Sequence, residues 1–224
     1  MCDAHLWQRP PGGYMLDDLL QDLRAGHNIV FTVAVECRYG YRNDGPDELR
    51  PVGEIEFLES IADRVAIGPT ITSRIAAAIV GHANLLLGDA VAPVLEAHMA
   101  ASPCRFRGIR HSATWDASDA LRSEAARGLL GDNRFRHGFD WLAKLGLSFD
   151  AWVYHPQLIE VAELARVFPS VPIIVNHIGL RLGWVLMPAN ALKSINSGAA
   201  ASTTRQMPQR GGEIRRLRFG AVRL

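Results

Sequence analysis

Hydrophobic and polar positions along the chain alternate between two patterns. Residues 14–25 (YMLDDLLQDLRA) carry apolar side chains at helical spacing and stop at Gly26, a helix breaker. Residues 28–36 (NIVFTVAVE) form a nearly unbroken β-branched and apolar run, which suits a strand buried on both faces of a parallel sheet. The polar stretch 38–51, with its Gly and Pro, reads as loop. The alternation then repeats. It predicts a helix at 52–64, a strand at 75–83 and a helix at 89–101 with Asp89 as N-cap. A strand at 105–111 follows, then a long polar loop, a helix at 133–145 and a strand at 147–154. A helix at 156–168, with Pro156 at its first position, leads to a last strand at 171–176. Asp3 and His5 open the chain in an expected first strand.

Strand and helix in alternation, with short connections, mean βαβ units and a parallel sheet. An open doubly wound sheet and a closed barrel both fit that order. The polar residues separate them. Glu36, His82, Arg110, His111, His155 and His177 each fall at or just past the end of an expected strand. An open sheet gathers ligand residues at one switch point, whereas a barrel draws them from many strand ends on one face. The spread favours the barrel, and the early strands are followed by no glycine-rich phosphate loop.

Composition narrows the partners. Hydrophobic residues are 48% and charged residues 21%, as in ordinary globular proteins, and the net charge of +1 gives no field to attract nucleic acid or an anionic membrane. Cys2, Cys37 and Cys104 are odd in number and scattered, which fits free thiols in a reducing cytoplasm better than disulfides or a zinc knuckle. No secretory leader is legible, and the longest apolar run, residues 76–80, is too short to span a bilayer. The expected partner is a small-molecule substrate, with a homo-oligomer as a further expectation.

Among the candidate side chains, His155 and His177 stand at consecutive strand tips, where two imidazoles can share one pocket and polarise a carbonyl or ligate a metal. Arg110 and His111 share another tip. A guanidinium there grips a carboxylate in bidentate fashion. Glu36 is expected to pair with such an arginine or to help hold a metal. His82, between Gly81 and Ala83, reads as packed, and His27, His98 and His137, on helices or helix ends, read as surface residues.

Several of these segments carry a family resemblance. Asp3-Ala4-His5-Leu6-Trp7, Glu36-Cys37-Arg38, RFRGIRHSATWD at 105–116, GLSFDAWVYHPQL at 146–158 and VNHIG at 175–179 resemble the amidohydrolase-related hydrolases of the TIM-barrel type. The branch they are most similar to includes pyrone-dicarboxylate lactonases and fuconolactonases. The resemblance implies hydrolysis of a lactone, ester or amide by water, the carbonyl being polarised by a metal or by cationic side chains, with an acidic base on the last strand. It implies catalytic roles for His155, His177, Arg110 and His111, and substrate binding by Glu36, Arg110 and His111. His5 and His177 would be metal ligands. A divalent metal such as zinc and a metal-independent site both occur in the branch. The usual HxH of the first strand is reduced here to the single His5, which removes one ligand position.

The resemblance runs through residues 1–179 and stops there. Residues 180–224 contain no clear strand and end in an arginine-rich stretch. The fold class expected is therefore α/β, a partial (β/α)₈ barrel with about six of eight strands and an irregular C-terminal tail. Codons compatible with residues 183–194 and 207–220 permit family-like segments in other reading frames, so the tail is expected to be out of frame. A genuine basic extension is the competing expectation. The functional alternatives are correspondingly a hydrolase and an inactive remnant that binds small molecules.

Overall fold

The computed structural model describes residues 2–9, 12–66, 73–118 and 121–180. The tail at 181–224, and with it the reading-frame expectation, lies outside the described residues. In chain order the elements are β1 (Cys2–Ala4), β2 (Trp7–Arg9), β3 (Gly12–Tyr14), α1 (Leu16–Leu23), β4 (Phe31–Val35), α2 (Val52–Ala66) and β5 (Arg74–Gly81). They continue as α3 (Ala92–Ala101), β6 (Phe106–Ser112), α4 (Asn133–Leu145), β7 (Ser148–Trp152), α5 (Leu158–Val167) and β8 (Ile173–Val175).

Six strands form one parallel sheet in the order β1-β4-β5-β6-β7-β8. Every new strand is added beside its predecessor in the same direction, without the reversal of order that defines a doubly wound sheet. This is the strand order of a partial barrel, and it puts the C-terminal tips of all six strands at one end. β2 and β3 pair antiparallel as a small separate hairpin between β1 and α1. Residues 7–14 contain Pro10, Pro11, Gly12 and Gly13, which are poor strand formers, yet the stretch includes two strands of three residues each.

The core lies between the sheet and its helices. Phe149 of β7 meets Phe139 of α4 edge-on with ring centroids 5.1 Å apart, and Phe135 and Phe168 pack against the same pair. Phe135, Phe139 and Phe149 are fully buried. Each such ring contributes about 1.5–3 kcal/mol of burial free energy. α4 begins with Asp132, whose side chain accepts the Phe135 N–H at 3.0 Å, and ends at Gly146 in the left-handed conformation.

Two sequence expectations need correction. Asp89 does not cap α3. A 3-10 segment, Leu85–Val91, precedes the helix and is capped by Asn84, while Asp89 instead accepts the Trp141 indole N–H at 3.0 Å. His98 is not on the surface. It is 0% exposed, stacks on Phe106, and donates its Nε2–H to the His82 carbonyl at 2.8 Å.

Candidate functional site

The strand tips surround a cavity of about 370 Å³ lined by His5, Trp7, Glu36, Cys37, Arg38, Arg110, Ser112, Arg122, Glu124 and Trp152. Its most buried feature is an ion pair. Arg110 leaves β6, reaches across β5, and donates from Nε to Glu36 Oε1 at 2.8 Å and from Nη2 to the Glu36 carbonyl. Arg110 is 4% and Glu36 7% exposed. The guanidinium also lies over the Trp152 ring of β7, 4.2 Å from its centroid. One arginine thus ties the tips of β4, β6 and β7 together. The second carboxylate oxygen, Glu36 Oε2, is buried and has no partner among the described residues. A buried acceptor left so is costly, and a ligand or water O–H would satisfy it.

His5, just past β1, points the same way. Its Nδ1 lies 2.7 Å from the Val35 carbonyl, so Nδ1 carries the proton and the neutral ring has its lone pair on Nε2. This is the tautomer that a metal-binding or proton-accepting histidine adopts. Among the described residues, however, no three His, Cys, Asp or Glu side chains come together in a group that could hold a metal ion. His5 by itself does not amount to a zinc site, so the described donor set does not fit the metal that the resemblance implied.

Behind the cavity wall, Glu54 of α2 holds the β4 tip in shape. Its Oε1 accepts the backbone N–H groups of Cys37 at 2.8 Å and Tyr39 at 3.2 Å. Burial, above all, pushes its carboxyl pKa up, against the lowering effect of those two hydrogen bonds. Between them Arg38 takes a left-handed conformation with φ of 63°. A non-glycine residue held there marks a backbone fixed by its surroundings, a common feature of functional sites.

The other predicted residues fall around this cavity rather than in it. His111, next to Arg110 on β6, faces the opposite side of the sheet, as strand alternation requires. Its Nδ1 accepts the Leu85 N–H at 3.2 Å, its ring packs on Phe135, and burial, followed by the nearby His82 and Arg38 charges, pushes its pKa down to about 3. His82 donates from Nδ1 to the Arg110 carbonyl at 3.0 Å and faces His111 edge-on. His177 is exposed just after β8, its ring edge-on to Trp152 at 5.5 Å, on a stretch where His177 and Ile178 both have positive φ. Trp152 therefore connects His177 to Arg110. His155 is exposed, and the one-turn helix it begins is held by Gln157, whose side chain accepts the Trp115 and Tyr154 N–H groups.

Sequence reasoning did not single out Trp7, Arg38, Ser112, Arg122, Glu124 or Trp152 as lining residues. Arg38 had a usable signal, two positions after Glu36 at the β4 tip. Arg122 and Glu124 had none, since they sit in the long polar stretch after β6.

The sequence model of a family described as amidohydrolase matches residues 2–192. An uncharacterized protein, y4mH, of Sinorhizobium fredii (strain NBRC 101917 / NGR234) is 32% identical over 169 residues, which are 75% of this chain and 50% of that protein. Two crystal structures of an amidohydrolase from Burkholderia multivorans, one with bound HEPES and one with bound zinc, align over 80% of this chain and 57% of theirs. Their TM-scores are 0.52 and 0.55 at 23% and 24% identity, a likeness of fold. The chain spans about half the length of the curated relative that it matches.

Proposed function

This chain belongs to the amidohydrolase family, and from that premise we propose that its cavity is a hydrolytic site for a lactone, ester or amide of a small carboxylated compound. The observation that carries the reading is the buried Glu36–Arg110 pair beneath a cavity that also holds Arg38, Arg122 and His5. With three arginines and two glutamates in the wall, the cavity is cationic by one charge before His5 is counted. That balance attracts a carboxylate.

In this reading a water oxygen attacks the acyl carbon, the acyl–oxygen or acyl–nitrogen bond breaks, and the water's proton ends on the leaving group. Arg110 stabilises the negative charge that develops on the carbonyl oxygen. Glu36, with Oε1 fixed by Arg110 and Oε2 open to a new donor, orients the substrate. His177, at the rim against Trp152, and His155 are the proposed proton-transfer groups. His111 supports Arg110 from the far side of β6.

The test is hydrolysis of a panel of small carboxylated lactones, esters and amides by the full chain and by His177→Ala, an exposed position whose substitution spares the core. Activity in the wild type that falls at least about a hundredfold in the variant is expected. Because the chain is half the length of its curated relative, a second reading stands beside this one: a non-catalytic binder of small carboxylates. It predicts no turnover anywhere in the panel together with Arg110-dependent binding.

A further inference from the structure

The cavity holds two kinds of arginine. Arg110 is buried and committed to Glu36. Arg38 and Arg122 are at the rim, with side chains 48% and 78% exposed, and both point their charge at one residue, Glu124. The contact is divided evenly. Glu124 Oε2 lies 3.0 Å from Arg38 Nη2, and Oε1 lies 3.2 Å from Arg122 Nε. One carboxylate between two guanidiniums, each oxygen on its own arginine, is the arrangement in which a ligand carboxylate would be held.

The backbone under Glu124 is pinned independently of that side chain. The Glu124 and Ala125 N–H groups donate to the Thr114 carbonyl at 3.0 and 3.2 Å, and the Tyr154 hydroxyl donates to the Arg122 carbonyl at 2.8 Å. The Glu124 carboxylate can therefore swing out while the loop stays in place. Ion pairs as exposed as these contribute little to stability, so exchanging one carboxylate for another costs little.

We propose that Glu124 is a built-in occupant of an Arg38–Arg122 carboxylate clamp at the cavity mouth, which an incoming carboxylate displaces. With Glu124 in place the clamp keeps one net positive charge instead of two, and it selects for anions strong enough to replace an internal one. The inference rests on reading the cavity as a carboxylate pocket, but it concerns binding alone and needs no turnover.

The experiment is titration calorimetry of the full 224-residue chain with sodium benzoate at low ionic strength, where exposed charges are least screened. Glu124→Gln keeps the side chain's shape and removes the competing charge. Its Kd for benzoate should be roughly three- to tenfold lower than that of the wild type. Arg38→Gln and Arg122→Gln should each raise Kd about fivefold or more. Thermal melts report whether each variant is folded, and Glu124→Ala provides a second discharged form. Unchanged or weaker binding in both Glu124 variants would overturn the proposal, because Glu124 would then be positioning the arginines rather than occupying their clamp. Indifference to Arg38→Gln and Arg122→Gln would overturn it too. So would an absence of benzoate binding in every form, an outcome that leaves the hydrolysis panel free to succeed or fail on its own.

Discussion

Replacing Arg110 by Met would leave the Glu36 carboxylate buried with no cation beside it. Removing one partner of such a pair costs about 3–5 kcal/mol, mostly the penalty on the charge left behind. Arg110→Met should lower the urea midpoint sharply, and Glu36→Gln on top of it should recover part of the loss. Additive losses in the double variant would show that the two residues are not coupled. His98 and His111 supply a second test at this scale. Burial holds their pKa values at about 4 and about 3, below the usual 6.5. The unfolded chain therefore binds more protons, and stability falls as pH drops below about 6.5, the loss continuing down to the folded-state values. His98→Gln, which retains a donor for the His82 carbonyl, should flatten the melting temperature between pH 6.5 and 4. A slope identical to wild type would mean that other groups cause it. The strand-tip positions of Glu36 and Arg110 were legible in the sequence, because a polar residue closing an apolar run announces a strand tip; their pairing was one of two expectations for Glu36, and the structure has it. His98 was misread although it lies four positions after the buried Val94 and three after the buried Leu95, on the same helix face.

At the scale of elements, periodicity located each of the main helices and sheet strands, with ends adjusted by a few residues. The β2–β3 hairpin escaped because three-residue strands carry too little pattern, and because their pairing is set by contact rather than by sequence. α4 shows what pattern alone does not convey. Its Gly138 approaches the Leu85 backbone carbonyl so closely that a Cβ would overlap it. Gly138→Ala, normally favourable in a helix, should destabilise by about 1–3 kcal/mol in urea titration, since backbone moves less readily than a side chain. A stabilised variant would show that α4 and the 85–91 segment pack less tightly than the structure has them.

At the scale of the whole molecule, the β8 edge of the sheet is the dominant feature among the described residues. Among the described residues β8 pairs only with β7, while Ile159 of α5, Ile174 and Val175 of β8, and Ile178 are exposed. An unpaired parallel edge flanked by β-branched side chains invites association. Light scattering of the purified chain should show a mass above the monomer's 24.6 kDa, reduced by Ile174→Lys; a monodisperse monomer would argue that the edge is covered. The partial barrel was legible because strand-tip chemistry recurs along the chain. The clamp around Glu124 was not, because only folding brings a loop after β6 to the tip of β4.

The most direct test of the central claim compares two substrates that differ in one charge, an ester bearing a free carboxylate and its uncharged methyl-capped twin. Both should be hydrolysed, with kcat/KM for the carboxylated form higher by at least about tenfold at low salt and the preference shrinking as salt is added. Equal rates for the two, or carboxylate binding with no hydrolysis of either, would contradict it.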